Sequence, residues 1–117
     1  MSIPTGLFGP HSLTSTGVAA AMKGTTGPGA YALGKLGDDG LFYINYVGRS
    51  DDDLAGRLQD HTPEYYPQFM YAFYQSMKDA FDKECHLYHA FKPRDNKVHP
   101  ARPTNARWAC PVCAVLG

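Results

Sequence analysis

The sequence predicts a small α/β domain of the α+β type, in which three strands are combined with two helices. Three observations carry this prediction. A hairpin pattern rich in aromatic and β-branched residues covers residues 29–48, a second apolar run covers residues 68–74, and an apolar stripe with helical spacing covers residues 76–91. With 117 residues, 44% of them hydrophobic, the chain suffices for one core and not for two.

The strands follow from local signals along the chain. Residues 1–27 are rich in Gly, Ser, Thr and Pro without a clear period, so we expect a mostly irregular leader in which residues 19–22 can form one turn of helix. Residues 29–36 and 41–48 are predicted to pair as a hairpin, because the Gly-Asp-Asp-Gly sequence between them is a turn signal. Residues 68–74 are apolar on both faces, which predicts a central or covered strand.

The two helices are predicted from capping residues and apolar spacing. Ser50 is expected to cap a helix that runs to about His61, with Asp53 in the capping-box position three residues later. Ser76 is expected to cap a second helix that extends to Phe91.

The C-terminal segment 93–117 is predicted to be irregular and to pack on the core at residues 28–92. Its four prolines prevent long regular elements. Residues 92–117 carry five basic residues against one acidic residue, so this basic segment accompanies an acidic remainder in a chain with no net charge. Two interpretations stay open: a surface that binds phosphate backbones, or an ordinary solvated tail.

Several protein classes are disfavoured by the composition. No apolar run reaches the length of a membrane span, and the first residues lack the pattern of a signal peptide. We therefore expect a cytoplasmic protein with no membrane partner. Three cysteines, an odd number, argue against a disulfide framework.

Glu84 interrupts the apolar stripe of the last predicted helix. Glutamate is almost never buried unless it is paired or holds a metal. Two alternatives stay open for it: a structural ion pair at the edge of the stripe, or a functional carboxylate. The apolar residues that share this face are Met77, Ala80, Phe81, Leu87, Tyr88 and Phe91.

The order and spacing of several motifs resemble those of the GIY-YIG nuclease family, over roughly residues 27–100. Ala30 and Val47 stand where the family name has Ile, whereas both tyrosines are kept. The motifs are, in chain order, Gly29-Ala30-Tyr31, Tyr46-Val47-Gly48-Arg49-Ser50, Arg57-x3-His61, Glu84 and Asn96.

The resemblance implies a three-stranded antiparallel sheet flanked by helices, and a metal-dependent endonuclease that hydrolyses phosphodiester bonds by a single-metal mechanism. Glu84 would hold Mg²⁺ or Mn²⁺, and Arg57 would neutralise charge on the phosphate. The substrate would be nucleic acid, DNA rather than RNA. The implied catalytic residues are Tyr31, Tyr46, Arg57, His61 and Glu84, and the implied substrate-binding residues are Arg49, Asn96 and Lys97.

Two questions about function stay open. The core carries no extended basic surface, so a partner protein or a second copy of the chain is a candidate source of further substrate contacts. A non-catalytic module that binds nucleic acid or protein on the same scaffold is the alternative function.

A Cys-Pro-Val-Cys knuckle at Cys110 and Cys113 can supply half of a zinc site. The candidates for the other half are Cys85, His89 and His99. A zinc ion there would attach the tail to the last helix. The alternative is a set of buried or free thiols.

Overall fold

The computed structural model describes residues 6–25, 27–62, 66–96, 99–100 and 108–113. Lys97, one of the implied substrate-binding residues, lies outside these ranges. Within them the chain forms an α+β fold with a four-stranded antiparallel sheet and three helices, which confirms the predicted fold class. The elements are, in order, β1 (Phe8–Ser12), α1 (Ser15–Met22), β2 (Gly29–Leu36), β3 (Phe42–Ser50), α2 (Leu54–His61), β4 (Gln68–Phe73) and α3 (Met77–Phe91).

The predicted hairpin is present as β2 and β3. Its register runs from Gly29 opposite Ser50 to Leu36 opposite Phe42. The turn between the strands contains Gly40 in the left-handed region, with φ of 83°, which glycine adopts at little cost. The predicted turn is therefore confirmed, and the register shifts by one residue between Leu33 and Gly34, beyond which Tyr31 lies opposite Gly48.

The sheet has one strand more than expected, with the order β1-β4-β2-β3. The prediction of a mostly irregular leader is wrong, because residues 8–12 form β1 and the helical turn expected at residues 19–22 is the end of a longer helix, α1, over residues 15–22. Glycine and proline within β1 favour a turn when read locally, but an edge strand tolerates them. Strand β4 lies between β1 and β2, which confirms the expectation of a central strand.

The helices cover both faces of the sheet. On one face Val18 of α1 and Leu58 of α2 pack with Leu33 and Phe69 of the sheet. On the other face Leu87 of α3 packs among small residues of the central strands. Successive strand residues point to opposite faces, so each face receives alternate residues of β2 and β3. Among the described residues, no helix is both long and apolar enough to cross a membrane.

The helix starts differ in one detail from the prediction. Ser50 does not cap α2, because it is the last residue of β3 and pairs with Gly29. Its Oγ accepts a hydrogen bond of 2.8 Å from the backbone N–H of Asp53, which is the residue that caps α2. Ser76 caps α3 as expected and accepts from the backbone N–H of Asp79.

The segment after α3 covers the outer edge of β3. The backbone N–H of Asp95 donates to the carbonyl oxygen of Asn45 at 2.9 Å. The side-chain amide of Asn96 accepts from the N–H of Val47 at 2.8 Å and donates to its carbonyl oxygen at 2.9 Å. These bonds occupy backbone groups that an edge strand leaves open, so the segment covers part of the outer edge of β3.

Candidate active site and metal centre

A cavity of about 330 Å³ lies at the edge of β3, which we call the β3 cavity. Its walls come from β2, β3, α2, α3 and the segment after α3. Every described residue of the implied catalytic and substrate-binding sets contributes to it. The lining residues are Tyr31, Tyr46, Gly48, Arg49, Asp51, Arg57, His61, Glu84, Asn96, His99 and Pro100.

The position of β3 in the sheet explains why these residues meet. Tyr46 and Gly48 point to the face covered by α1 and α2, whereas Arg49 points to the face covered by α3. Because β3 is the last strand of the sheet, groups from both faces converge around its edge. Gly48 is opposite Tyr31, and a Cβ at Gly48 would lie 2.5 Å from the Tyr31 hydroxyl oxygen. Glycine is therefore needed for the Tyr31 ring to lie over β3.

Tyr31 and His61 form a hydrogen-bonded pair inside the cavity. The Tyr31 hydroxyl oxygen lies 2.7 Å from His61 Nε2. Tyr31 is 2% exposed. The Tyr46 ring lies beside both, with its centroid 6.4 Å from that of Tyr31 and 5.5 Å from that of His61. A phenol bonded to an imidazole can pass a proton between its oxygen and the ring nitrogen.

Glu84 is buried, with 7% of its surface exposed, and its carboxylate accepts a hydrogen bond from Arg49. The distance from Arg49 Nη1 to Glu84 Oε1 is 2.8 Å. Arg49 Nε also donates to Asp51 Oδ1 at 2.8 Å. The ion-pair alternative left open for Glu84 is therefore realised, and the same side chain also lines the β3 cavity.

Burial and charge act in opposite directions on this pair. Burial raises the pKa of the Glu84 carboxyl above its ordinary value, and the hydrogen bond from Arg49 offsets only part of that effect. Burial would lower the pKa of Arg49, but its bonds to Asp51 and Glu84 raise it. Arg49 therefore stays charged, and the buried Glu84 side chain requires a nearby cation in order to be ionised.

Arg57 and Asn96 occupy different parts of the wall. Arg57 is exposed to solvent on α2, one helical turn from His61. Its guanidinium can therefore reach an incoming anion without breaking a buried ion pair. The side-chain amide of Asn96 is hydrogen-bonded to the backbone of Val47, so Asn96 holds this part of the wall in place.

A second group of polar side chains lies beside the cavity. One ligand atom from each of His89, His99, Cys110 and Cys113 lies within 4.8 Å of every other, so these residues can hold a metal ion. We call this group the His-Cys site. His99 Nε2 lies 3.2 Å from His89 Nε2 and 3.5 Å from Cys113 Sγ. Two further ligand atoms thus lie close to the single lone pair of His99 Nε2, an arrangement that a shared metal ion would explain.

The immediate surroundings of the His-Cys site favour ligation. His99 Nδ1 lies 3.0 Å from the carbonyl oxygen of Pro100, which fixes the tautomer that leaves Nε2 free as a ligand. Cys110 Sγ accepts from the backbone N–H of Val112 at 3.4 Å. Burial raises the pKa of Cys110, but hydrogen bonds from the backbone N–H groups of Cys113 and Val112 and from the side chains of Cys85 and His99 together outweigh it and bring the pKa to about 6.

Cys85, a predicted zinc candidate, is not one of the four converging residues. It is fully buried on α3 and contacts Cys110 instead. Burial and the neighbouring Cys110 sulfur raise its pKa, so Cys85 remains a thiol. Its S–H can donate to Cys110, which places it behind the ligands rather than among them.

Two contributors to the site were not predicted from the sequence. Asp51, to which the sequence assigned no role in the site, forms an ion pair with Arg49. Asp95 bonds to the backbone of β3 and accepts from the Tyr66 hydroxyl at 2.7 Å.

No protein-family model, curated protein or solved structure matches this chain.

Proposed function

We propose that the chain is a GIY-YIG-like endonuclease that hydrolyses phosphodiester bonds in DNA by a single-metal mechanism. The observation that carries the proposal is the convergence of Tyr31, Tyr46, Arg57, His61 and Glu84 on the β3 cavity. These five residues come from four elements and are separated by up to 53 positions in the chain. Two phenols and an imidazole can move protons, a guanidinium can neutralise charge on a phosphate, and a carboxylate can hold a cation, all of which can serve phosphodiester hydrolysis.

The donor set fits Mg²⁺ or Mn²⁺ at Glu84. Both are hard cations that take carboxylate oxygens, and Mg²⁺ commonly uses one or two protein carboxylates and completes its shell with water and phosphate oxygens. Asp51 supplies a second carboxylate to the same wall. When bound, the ion stabilises charge on the phosphate and the leaving oxygen.

The side chains that line the cavity have separate roles in proton transfer, phosphate binding and orientation of the carboxylate. The Tyr31 oxygen accepts a proton from the attacking water as its own proton passes to His61 Nε2, 2.7 Å away. Arg57, exposed on the wall, binds the non-bridging oxygens of the phosphate. Arg49 orients the Glu84 carboxylate through its 2.8 Å bond. Tyr46 orients the phosphate against the paired phenol and imidazole.

For the His-Cys site we propose Zn²⁺ as a structural ion. A tetrahedron with Zn–N bonds of about 2.05 Å and Zn–S bonds of about 2.3 Å has N–N edges of about 3.3 Å and N–S edges of about 3.6 Å. Two of the six distances between ligand atoms, 3.2 Å and 3.5 Å, agree with these edges, and all six are within 4.8 Å. The free thiols that such a site needs persist in the cytoplasm, where we expect the protein to act.

The test of the catalytic proposal is plasmid nicking by wild type and Glu84→Gln in Mg²⁺ or Mn²⁺. We expect the wild type to nick supercoiled DNA and Glu84→Gln to lose at least about 100-fold in rate, because the amide is a poor ligand for a hard cation. Asp79→Asn is the matched control, since Asp79 is exposed in the first turn of the same helix. Equal cleavage by Glu84→Gln and wild type would refute the role of the carboxylate.

One observation favours the alternative of a non-catalytic binding module: Arg49 already satisfies the Glu84 charge without a metal. This alternative predicts DNA or protein binding with no turnover in either cation. A steep fall of DNA affinity with salt would assign the contacts to phosphates. A partner protein or a second copy of the chain would then be sought by mixing and sedimentation.

A further inference from the structure

We propose that a zinc ion in the His-Cys site acts as a latch that holds one wall of the β3 cavity in place. The inference takes the cavity as the active site, and in that respect it rests on the proposed function. The latch itself is a statement about how the chain is held together, and it can be tested without cleavage.

The ligands come from three separate stretches of chain. His89 lies in the last turns of α3, His99 lies in the segment after it, and Cys110 and Cys113 lie in the described part of the tail. Between α3 and Pro100, and again at residues 108–113, the described residues form neither helix nor strand. A single ion bound to all three stretches would cross-link them, much as a disulfide would, and would restrict the freedom of the segments between the ligands.

One ligand is itself part of the cavity wall. His99 and its neighbour Pro100 line the β3 cavity together with Glu84. The two residues are also tied to each other through His99 Nδ1 and the Pro100 carbonyl oxygen. Fixing His99 Nε2 on a metal therefore fixes the orientation of the wall that faces the Glu84 carboxylate.

A second chain of contacts runs from the tail to Glu84 through α3. The Trp108 ring, two residues before Cys110, packs on Phe81 with centroids 5.9 Å apart. The guanidinium carbon of Arg49 lies 5.2 Å from the centre of the same Phe81 ring. Arg49 in turn holds Glu84. Release of the tail would thus remove the contact of Trp108 with the Phe81 ring, which Arg49 also contacts.

The chemistry of the ligands separates this ion from the one proposed at Glu84. Two thiolates and two imidazoles select Zn²⁺ among common cations, whereas Mg²⁺ prefers oxygen ligands. The two sites can therefore be emptied separately. A chelator that removes zinc under reducing conditions, followed by an excess of Mg²⁺, leaves the His-Cys site empty and the oxygen site supplied.

The test uses the full chain in reducing buffer and follows Trp108, the single tryptophan of the sequence. We expect about one zinc per chain, bound through the four ligands. Chelation should shift the Trp108 emission to longer wavelength and increase its quenching by iodide, and one equivalent of Zn²⁺ should restore both. Cys113→Ser and His89→Ala should behave like the chelated protein, whereas His86→Ala, which alters an exposed histidine of the same helix, should behave like wild type.

The effect of zinc removal on the β3 cavity can be measured from the imidazole NMR signals of His61. These should shift on chelation and return with Zn²⁺, while those of His11, on the opposite edge strand, should not move. Nicking in Mg²⁺ should fall at least tenfold in the zinc-free protein. Absence of zinc binding, or zinc binding without a change at Trp108 and His61, would overturn the latch. If neither the zinc-bound nor the zinc-free protein nicks DNA while the changes at Trp108 and His61 are observed, the proposed function is refuted and the proposal of a zinc latch is kept.

Discussion

Asn96 offers the sharpest test of how the wall of the β3 cavity is held. Its side chain makes two hydrogen bonds, of 2.8 Å and 2.9 Å, to the N–H and the carbonyl oxygen of Val47, whose own side chain is fully buried. Asn96→Ala leaves both backbone groups without that partner. An unsatisfied buried polar group costs about 1–3 kcal/mol, so the two together set an upper range of about 2–6 kcal/mol.

Water entering the vacated space will re-bond part of this edge, so we expect a loss of about 2–4 kcal/mol in the free energy of unfolding. For a chain of this size, that corresponds to a fall of roughly 8–16 °C in the unfolding temperature. Urea unfolding followed by circular dichroism measures the first quantity, and calorimetry measures the second.

Asn45→Ala is the matched control. Asn45 lies on the same strand, and its backbone carbonyl oxygen, which Asp95 uses, survives the substitution. We expect a change within about 0.5 kcal/mol for this variant. An Asn96→Ala loss no larger than that of Asn45→Ala would refute the view that the amide completes the edge of β3.

Two further predictions concern Gly48 and Glu84. Gly48→Ala places a Cβ 2.5 Å from the Tyr31 hydroxyl oxygen, so the Tyr31 ring must move and its hydrogen bond to His61 should break. We expect the nicking rate to fall roughly 100-fold in this variant and in Tyr31→Phe. A wild-type nicking rate in either variant would contradict the role of the Tyr31–His61 pair. Because burial raises the pKa of Glu84 above its ordinary value of 4.5 in the folded state, its contribution to stability is fully present below that value and is lost as pH rises through the folded-state pKa. The free energy of unfolding of Glu84→Gln minus that of wild type should therefore increase between about pH 4 and pH 7 in urea titrations, and a flat or falling difference would contradict the raised pKa.

The parts of the fold that the sequence predicted are those whose signals are local. The turn at residues 37–40 and the cap at Ser76 depend on neighbours within a few positions, and both were found as expected. Strand β1 was missed because its five residues include glycine and proline, while the partner that makes it a strand, Tyr71, lies 63 positions from Phe8. Local propensity cannot reveal such a pairing.

The same distinction holds for the candidate site. The residue types at Tyr31, His61 and Glu84 could be selected from motif spacing, and the structure brings them to one cavity. The partner of Glu84 could not, because strand alternation gives the face on which Arg49 lies but not the helix that covers that face. The Cys110 and Cys113 half of the His-Cys site is visible as a knuckle, whereas its histidine half depends on the path of the chain after α3.

The covering of β3 by residues beyond the final helix has a consequence for where this unit can be shortened. In the described part of the chain the four strands and three helices end by Phe91, so a boundary drawn from these elements alone would discard everything that follows. Such a truncation would remove the Asn96 amide that bonds to Val47 and leave the edge of β3 open to pairing with other chains. It would also remove the wall of the β3 cavity formed by His99 and Pro100. A piece that keeps this wall therefore extends at least to Pro100, and one that also keeps all four residues of the His-Cys site extends to Cys113.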